Sequence, residues 1–153
     1  MGKEALAVEA VHHVGEIILE RIRENLAQVD DAAASIHSFI RNIALNVERS
    51  GFRGGGPITT IAMEMASTSE TLRQECERIY SDWQAAFADK LRLGGIDAMR
   101  TQRMAALIIA AIEGGVILCR TRQSREPLEQ VGDEINDLVK HACKGLFFFV
   151  RLM

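Results

Sequence analysis

Proline is nearly absent from this chain, with two in 153 residues, and aromatic side chains make up only 5% of it. Scarce proline removes the strongest breaker of helices. Nothing alternates apolar and polar with a period of two over the length of a strand, apart from an ambiguous run at Phe147–Val150. Cysteine is also sparse. Cys76, Cys119 and Cys143 are odd in number, far apart, and form no C-x-x-C pair, which argues for reduced, buried thiols in a cytoplasmic protein. An excess of basic charge is missing as well. The net charge is −3 and the pI about 5.8, which speaks against this segment carrying a main nucleic-acid surface. No basic stretch followed by an apolar core opens the chain, so no secretory signal is expected. The most apolar stretch, Met104 to Cys119, falls short of the ~20 residues a membrane span needs and is interrupted by Glu113, so no membrane partner is expected.

What is present favours helix: Ala, Leu, Ile, Glu and Arg dominate, with hydrophobic residues at 48% and charged residues at 25%. A first helix is predicted from about Lys3 to Gln28, with Leu6, Ala10, Val14, Ile17, Ile18 and Ile22 as its apolar face. Gly2-Lys3 opens it without a Ser, Thr, Asp or Asn cap. Asp30-Asp31 supply a cap for a second helix, striped by Ile36, Phe39, Ile40, Ile43 and Val47 and ended by Ser50-Gly51. The irregular Gly51-Phe52-Arg53-Gly54-Gly55-Gly56 lacks the Gly-Lys-Ser/Thr ending of a phosphate loop and reads as a flexible linker. Pro57 starts a short third helix with Ile58, Ile61, Ala62 and Met65 on one side.

A capping box at Ser67 and Glu70 introduces a fourth helix, whose stripe is Leu72, Cys76, Ile79, Tyr80, Trp83, Phe87 and Leu91. Gly94-Gly95 end it as left-handed C-cap residues. Asp97 caps a fifth helix to about Arg122, apolar on every side from Met104 to Ile112 and therefore expected to be covered all round. Pro127 opens a sixth, with Leu128, Val131, Ile135, Leu138 and Val139 on one face. The fold class is all-α, with six helices. Gly114-Gly115 do not end the fifth helix, and glycine inside a helix costs about 1 kcal/mol, which a close helix–helix approach would offset. With the single stripe of the sixth helix, this points to self-association through the last two helices; the alternative is a fifth helix that is simply the core of a monomer.

The stretch Gly51-Phe52-Arg53-Gly54-Gly55-Gly56-Pro57-Ile58-Thr59-Thr60-Ile61-Ala62-Met63-Glu64 resembles the loop and short helix of the C-terminal domain of TetR-family transcriptional regulators, in the LmrA/YxaF-like branch. That branch usually carries Gly-Cys-Pro where this chain has Gly55-Gly56-Pro57. Phe87 to Leu91, Ile112 to Gly115, Leu118 to Arg122 and Pro127 to Glu129 match in order, so that the resemblance covers roughly residues 2 to 140. Gly2, Lys3, Glu4 and Leu6 match the junction that follows a helix-turn-helix in this family, with Lys3 at a position that often meets a DNA phosphate. The resemblance implies an effector-binding and dimerising domain over residues 1–140 and an atypical apolar tail over 141–153, with the helix-turn-helix domain absent from the sequence given. DNA would then be met only through that missing N-terminal domain, and the homodimer through a four-helix bundle of the last two helices. The expected interface residues are Leu107, Ile108, Ala111, Gly114, Gly115, Leu118, Leu128, Val131, Ile135 and Leu138.

A small-molecule effector needs an apolar pocket with a few polar groups. The candidates are Phe39, Ile43, Met63, Met65, Tyr80, Trp83 and Phe87, with His13 as a polar member; each also reads as an ordinary core or surface residue. His12-His13 point about 100° apart on a helix, and His37 and His141 are isolated, so neither a metal nor another cofactor is expected. Glu113 must be paired or hydrogen-bonded, by Arg120 across a dimer or by a pocket group, and the structural role is preferred. No spacing marks a nucleophile or general base, so no enzyme is expected. The three consecutive Phe residues of the tail either extend the last helix or hang free. The reading is a repressor's sensing domain, released from DNA by a mainly apolar ligand. The alternative is a stand-alone helical binding or scaffold protein with no DNA partner.

Overall fold

Side-chain caps set where the helices begin. The computed structural model describes residues 2–65 and 67–150, with side chains up to residue 144. Its helices are α1 (Lys3–Ala27), α2 (Ala32–Arg49), α3 (Pro57–Met65), α4 (Glu70–Leu93), α5 (Ala98–Arg122) and α6 (Glu126–Val150), and no strand occurs among the described residues. The Asp31 carboxylate accepts from the backbone N–H of Ala34 at 2.7 Å to start α2. Asp97 does the same for α5, accepting from Met99 and Arg100 at 3.1 Å each. Such caps contribute about 1 kcal/mol each. Gly2, by contrast, precedes α1 with no side-chain cap. At α4 the cap is Ser69, whose hydroxyl accepts from Leu72 at 3.2 Å, and not the expected box at Ser67. Ser69 in turn donates to Glu4 on α1 at 2.5 Å, so the same residue starts one helix and ties it to another.

Two helix ends depart from expectation. Gly94 has a right-handed φ of −75°, and only Gly95, at +90°, takes the left-handed turn. Gln123 ends α5 in the left-handed region with φ 53°, an unusual role for a residue with a Cβ.

The core forms where α4 meets α1 and α5, and where α2 lies along α6. Phe87, Leu91, Ile36, Ile40, Ile79 and Ile108 are buried essentially completely. The apolar face of α1 lies to one side of the expected one. Val11, Gly15, Leu19, Ile22 and Leu26 are buried, while Leu6 and Ile17 are exposed. The expected stripe followed the β-branched residues and passed over the glycine, which sits at the centre of the contact with α4. The fifth helix is not covered all round either. Met104, Ala105, Ile108, Ile112, Val116 and Cys119 face inward, and Leu107, Ile117 and Leu118 face outward, at 50%, 51% and 45% exposure. As a whole, α5 is long and apolar enough to cross a membrane by length and composition; here it packs against α2, α4 and α6. The last helix runs on to Val150, so that the backbone of residues 141–150 extends it. The side chains of the triple phenylalanine and residues 151–153 lie outside the described residues.

At Gly15 the two helices approach closely. A Cβ added there would stand 2.6 Å from both Cδ1 and Cγ1 of Ile79, a side chain only 1% exposed and hemmed in on all sides. Gly15→Ala would gain about 1 kcal/mol of helix propensity but overpack the seam by about 1–3 kcal/mol. The expected result is net loss of stability, read as a lower urea midpoint; a midpoint equal to or above the parent's would contradict the closeness of this contact.

Candidate functional site

The site is a cavity of about 350 Å³ between α1, α2, α4 and α5, closed at one end by the segment 54–58. That volume lies within the range of small-molecule sites. Its walls come from residues that each helix turns inward: Ile18 and Ile22 from α1, Phe39, Ile43 and Val47 from α2, Trp83 and Phe87 from α4, and Ile109, Ile112 and Val116 from α5. Phe39 and Phe87 meet edge to face, with ring centroids 5.5 Å apart. Five side chains bring polar groups to it: Arg21, Asn25, Asn42, Asn46 and Glu113. Arg21, Asn42 and Asn46 are exposed, which places the wetter side at the α1–α2 seam. There the Asn42 side-chain amide donates to Asn25 Oδ1 at 2.9 Å and links the two helices.

The glycine segment is a wall and not a flexible linker. Gly55 (φ 105°) and Gly56 (φ 69°) hold conformations that side chains resist, and a Cβ at Gly55 would lie 2.7 Å from Val116 Cγ1. The Ser50 hydroxyl accepts from the Gly54 N–H at 2.8 Å and holds the turn against the end of α2. Backbone forms this end of the cavity because a side chain would occupy the space.

Glu113 faces the cavity from α5. The Thr59 hydroxyl, from α3, donates to Glu113 Oε2. Tyr80 lies 2.8 Å from the same Thr59 oxygen; with Thr59's only proton committed to Glu113, Tyr80 is the donor, and the three form a chain across α4, α3 and α5. Burial pushes the Glu113 carboxyl above its ordinary range, opposed by the Thr59 hydrogen bond. Burial likewise raises the Tyr80 phenol. Within the chain Glu113 is thus satisfied by a pocket group, Thr59, while the Arg120 side chain faces outward.

Trp83 joins the cavity to α1. Its indole N–H donates to the Gly15 carbonyl at 3.2 Å, and Tyr80 packs against it edge to face at 5.2 Å. Outside the cavity the same α1–α4 seam carries charge. Arg78 donates to Glu75 at 2.8 Å and to Asp82 at 2.7 Å, and His12 lies 2.9 Å from Glu75. The Arg78 guanidinium holds the Glu75 carboxyl below its ordinary range, against burial and with help from His12.

Of the residues expected at a ligand site, Phe39, Ile43, Trp83 and Phe87 line the cavity, and Tyr80 stands behind it through Thr59. Met63, Met65 and His13 do not line it: Met63 is 76% exposed, and the other two also face outward. Helical spacing put the methionines on α3, but only Ile58 of that helix is buried. The expected interface divides in the same way. Leu107, Gly114 and Leu118 are exposed, Ala111, Val131 and Leu138 partly so, and Ile108, Gly115, Leu128 and Ile135 are buried within the chain. Gly115 is the close approach, with Leu128 Cδ2 2.6 Å from where its Cβ would be, whereas nothing lies within 4 Å at Gly114. The polar lining from Asn25, Asn42 and Asn46 escaped the sequence reading. Its signal was there in α2, where Asn42 and Asn46, four apart, border the apolar stripe at Ile43 and Val47.

The class of protein follows from what this all-helical body resembles. Residues 32–134 match the family model of the LmrA/YxaF-like transcriptional regulator C-terminal domain. The chain belongs to this branch of the TetR family. It is 33% identical over 139 residues to an uncharacterized HTH-type transcriptional regulator, YxaF, of Bacillus subtilis, which covers 91% of this chain and 73% of the relative. The HTH-type transcriptional regulator LmrA of the same organism is 32% identical over 139 residues, covering 91% of this chain and 74% of LmrA. A crystal structure of a TetR transcriptional regulator from Chloroflexus aurantiacus superposes with a TM-score of 0.72 at 28% identity, over 91% of this chain and 73% of that one. Both Bacillus relatives are named as HTH-type transcriptional regulators.

Burial favours the protonated form of Glu113 in the folded chain over the unfolded one. A carboxyl raised in the folded state contributes stability while protonated, and that contribution is lost as pH rises through the folded value. Glu113→Gln is therefore expected to match the parent at pH below the carboxylate range and to exceed it at neutral pH. Urea midpoints across a pH series test this, and a difference that shrinks as pH rises would contradict it.

Proposed function

We propose that this chain senses a small, mainly apolar effector and dimerises, as the regulatory domain of a repressor that the effector releases from DNA. The observation that carries this reading is the cavity itself: apolar walls from four helices, sparse polar groups, and a wall residue, Trp83, hydrogen-bonded to the backbone of α1. The relatives are named HTH-type regulators, and on this reading DNA is met through a helix-turn-helix segment on the N-terminal side of α1. An occupant that fits one tilt of α1 better than another shifts the balance between them, which is all that ligand control requires. Trp83 is the only tryptophan in the chain, so its emission is expected to change when the cavity fills. Amide exchange in α1 is expected to change with it. Saturable ligand binding that alters Trp83 emission but leaves α1 exchange untouched would argue for a binding protein without this coupling.

Self-association is supported by the outward stripe of α5, where Leu107, Gly114, Ile117 and Leu118 follow at helical spacing. Apolar side chains about half exposed in a row suit a partner surface. Leu118→Glu places a charge in that stripe without touching the core, so it is expected to lower the mass in light scattering from dimer to monomer and leave helicity unchanged. A parent chain that is already a clean monomer at micromolar concentration would overturn the dimer.

A further inference from the structure

We infer that the effector is an apolar molecule carrying one basic nitrogen, held by Glu113; this rests on the cavity being the effector site. Glu113 is the only acidic side chain in the lining, and it projects from the α5 wall, whose other lining residues are Ile109, Ile112 and Val116. One of its oxygens accepts from Thr59. No Lys, Arg or His pairs with it among the described residues. A half-buried carboxylate with one protein donor and no counter-charge is costly to ionise. A protonated amine entering the cavity supplies both the charge and a second hydrogen bond, and this pairing is stronger than the same contact in water.

The rest of the lining fits the same ligand. Phe39, Trp83 and Phe87 present aromatic rings, which attract a cation at their faces and accept an apolar body. The one cationic side chain, Arg21, is exposed at the α1–α2 side, where water screens it. Burial raises the Glu113 carboxyl, so an entering amine also draws it into the ionised form.

Three compact probes of one shape test the inference: adamantyl methylamine, adamantyl methanol and adamantane carboxylate, none of which absorbs with tryptophan. Each is titrated at mildly alkaline pH, with calorimetry and Trp83 emission as readouts. The amine is expected to bind about tenfold or more tighter than the alcohol, the size of a charge-assisted hydrogen bond. Glu113→Gln keeps an acceptor for Thr59 but no charge, and is expected to abolish that preference. Thr59→Val keeps the carboxylate and is expected to retain it, which secures the test if the first variant folds poorly. Equal binding of amine and alcohol, tighter binding of the carboxylate, or an amine preference that survives in Glu113→Gln would each overturn the amine while leaving the cavity as a binding site. Failure of all three probes to bind the parent chain would overturn the cavity reading as well.

Discussion

The contact between α1 and α4 at Gly15 is the constraint on which the rest of the structure depends. Because position 15 has no Cβ, Ile79 lies directly on the backbone of α1, and one turn further along α4 the indole of Trp83 reaches a carbonyl in the middle of that helix. A helical carbonyl keeps a second lone pair free for such a donor. The indole is then fixed with one edge on α1 and its body in the cavity wall. The edge-to-face packing of Tyr80, the Thr59 bridge and the position of Glu113 all follow from where that ring stands. The salt bridges of Arg78 lie on the rim of the same seam. They are partly exposed, so they add register more than stability.

Much of this was legible in the sequence, for identifiable reasons. Asp31, Asp97 and Pro57 marked helix starts because capping and the first-turn tolerance of proline are local effects. The stripes of α2 and α4 were correct because each helix is buried along one face, and a strong one-sided pattern fixes the rotation. Where the pattern was ambiguous the reading slipped. In α1 the apolar residues spread over more than one face, and only the tertiary contact at Gly15 decides which is inner. In α5 apolar residues surround the helix, and sequence alone does not separate those packed within the chain from those left outside.

The cavity was the least legible part. Phe39, Ile43, Trp83 and Phe87 were found because they lie on well-defined stripes. Met63 and Met65 face away from the cavity, and a nine-residue helix offers too little pattern for the sequence to orient them. Arg21 and the asparagines were missed because a polar residue beside an apolar stripe looks the same whether it faces water or a pocket rim. Glu113 was noticed as a charge out of place, but its partner Thr59 is 54 residues away and was visible only in three dimensions. Glycine misled in the 51–56 segment. Chains of glycine suggest freedom, and here the same residue type is used because nothing larger fits against Val116.

At Gly55 the wall of the cavity is bare backbone, and its neighbour Val116 blocks the addition of a side chain there. The polar side chains of the cavity therefore come from the helices, at positions 21, 25, 42, 46 and 113. The glycine turn works as a fixed stop: it sets where the compartment ends, while the helices set what lines it.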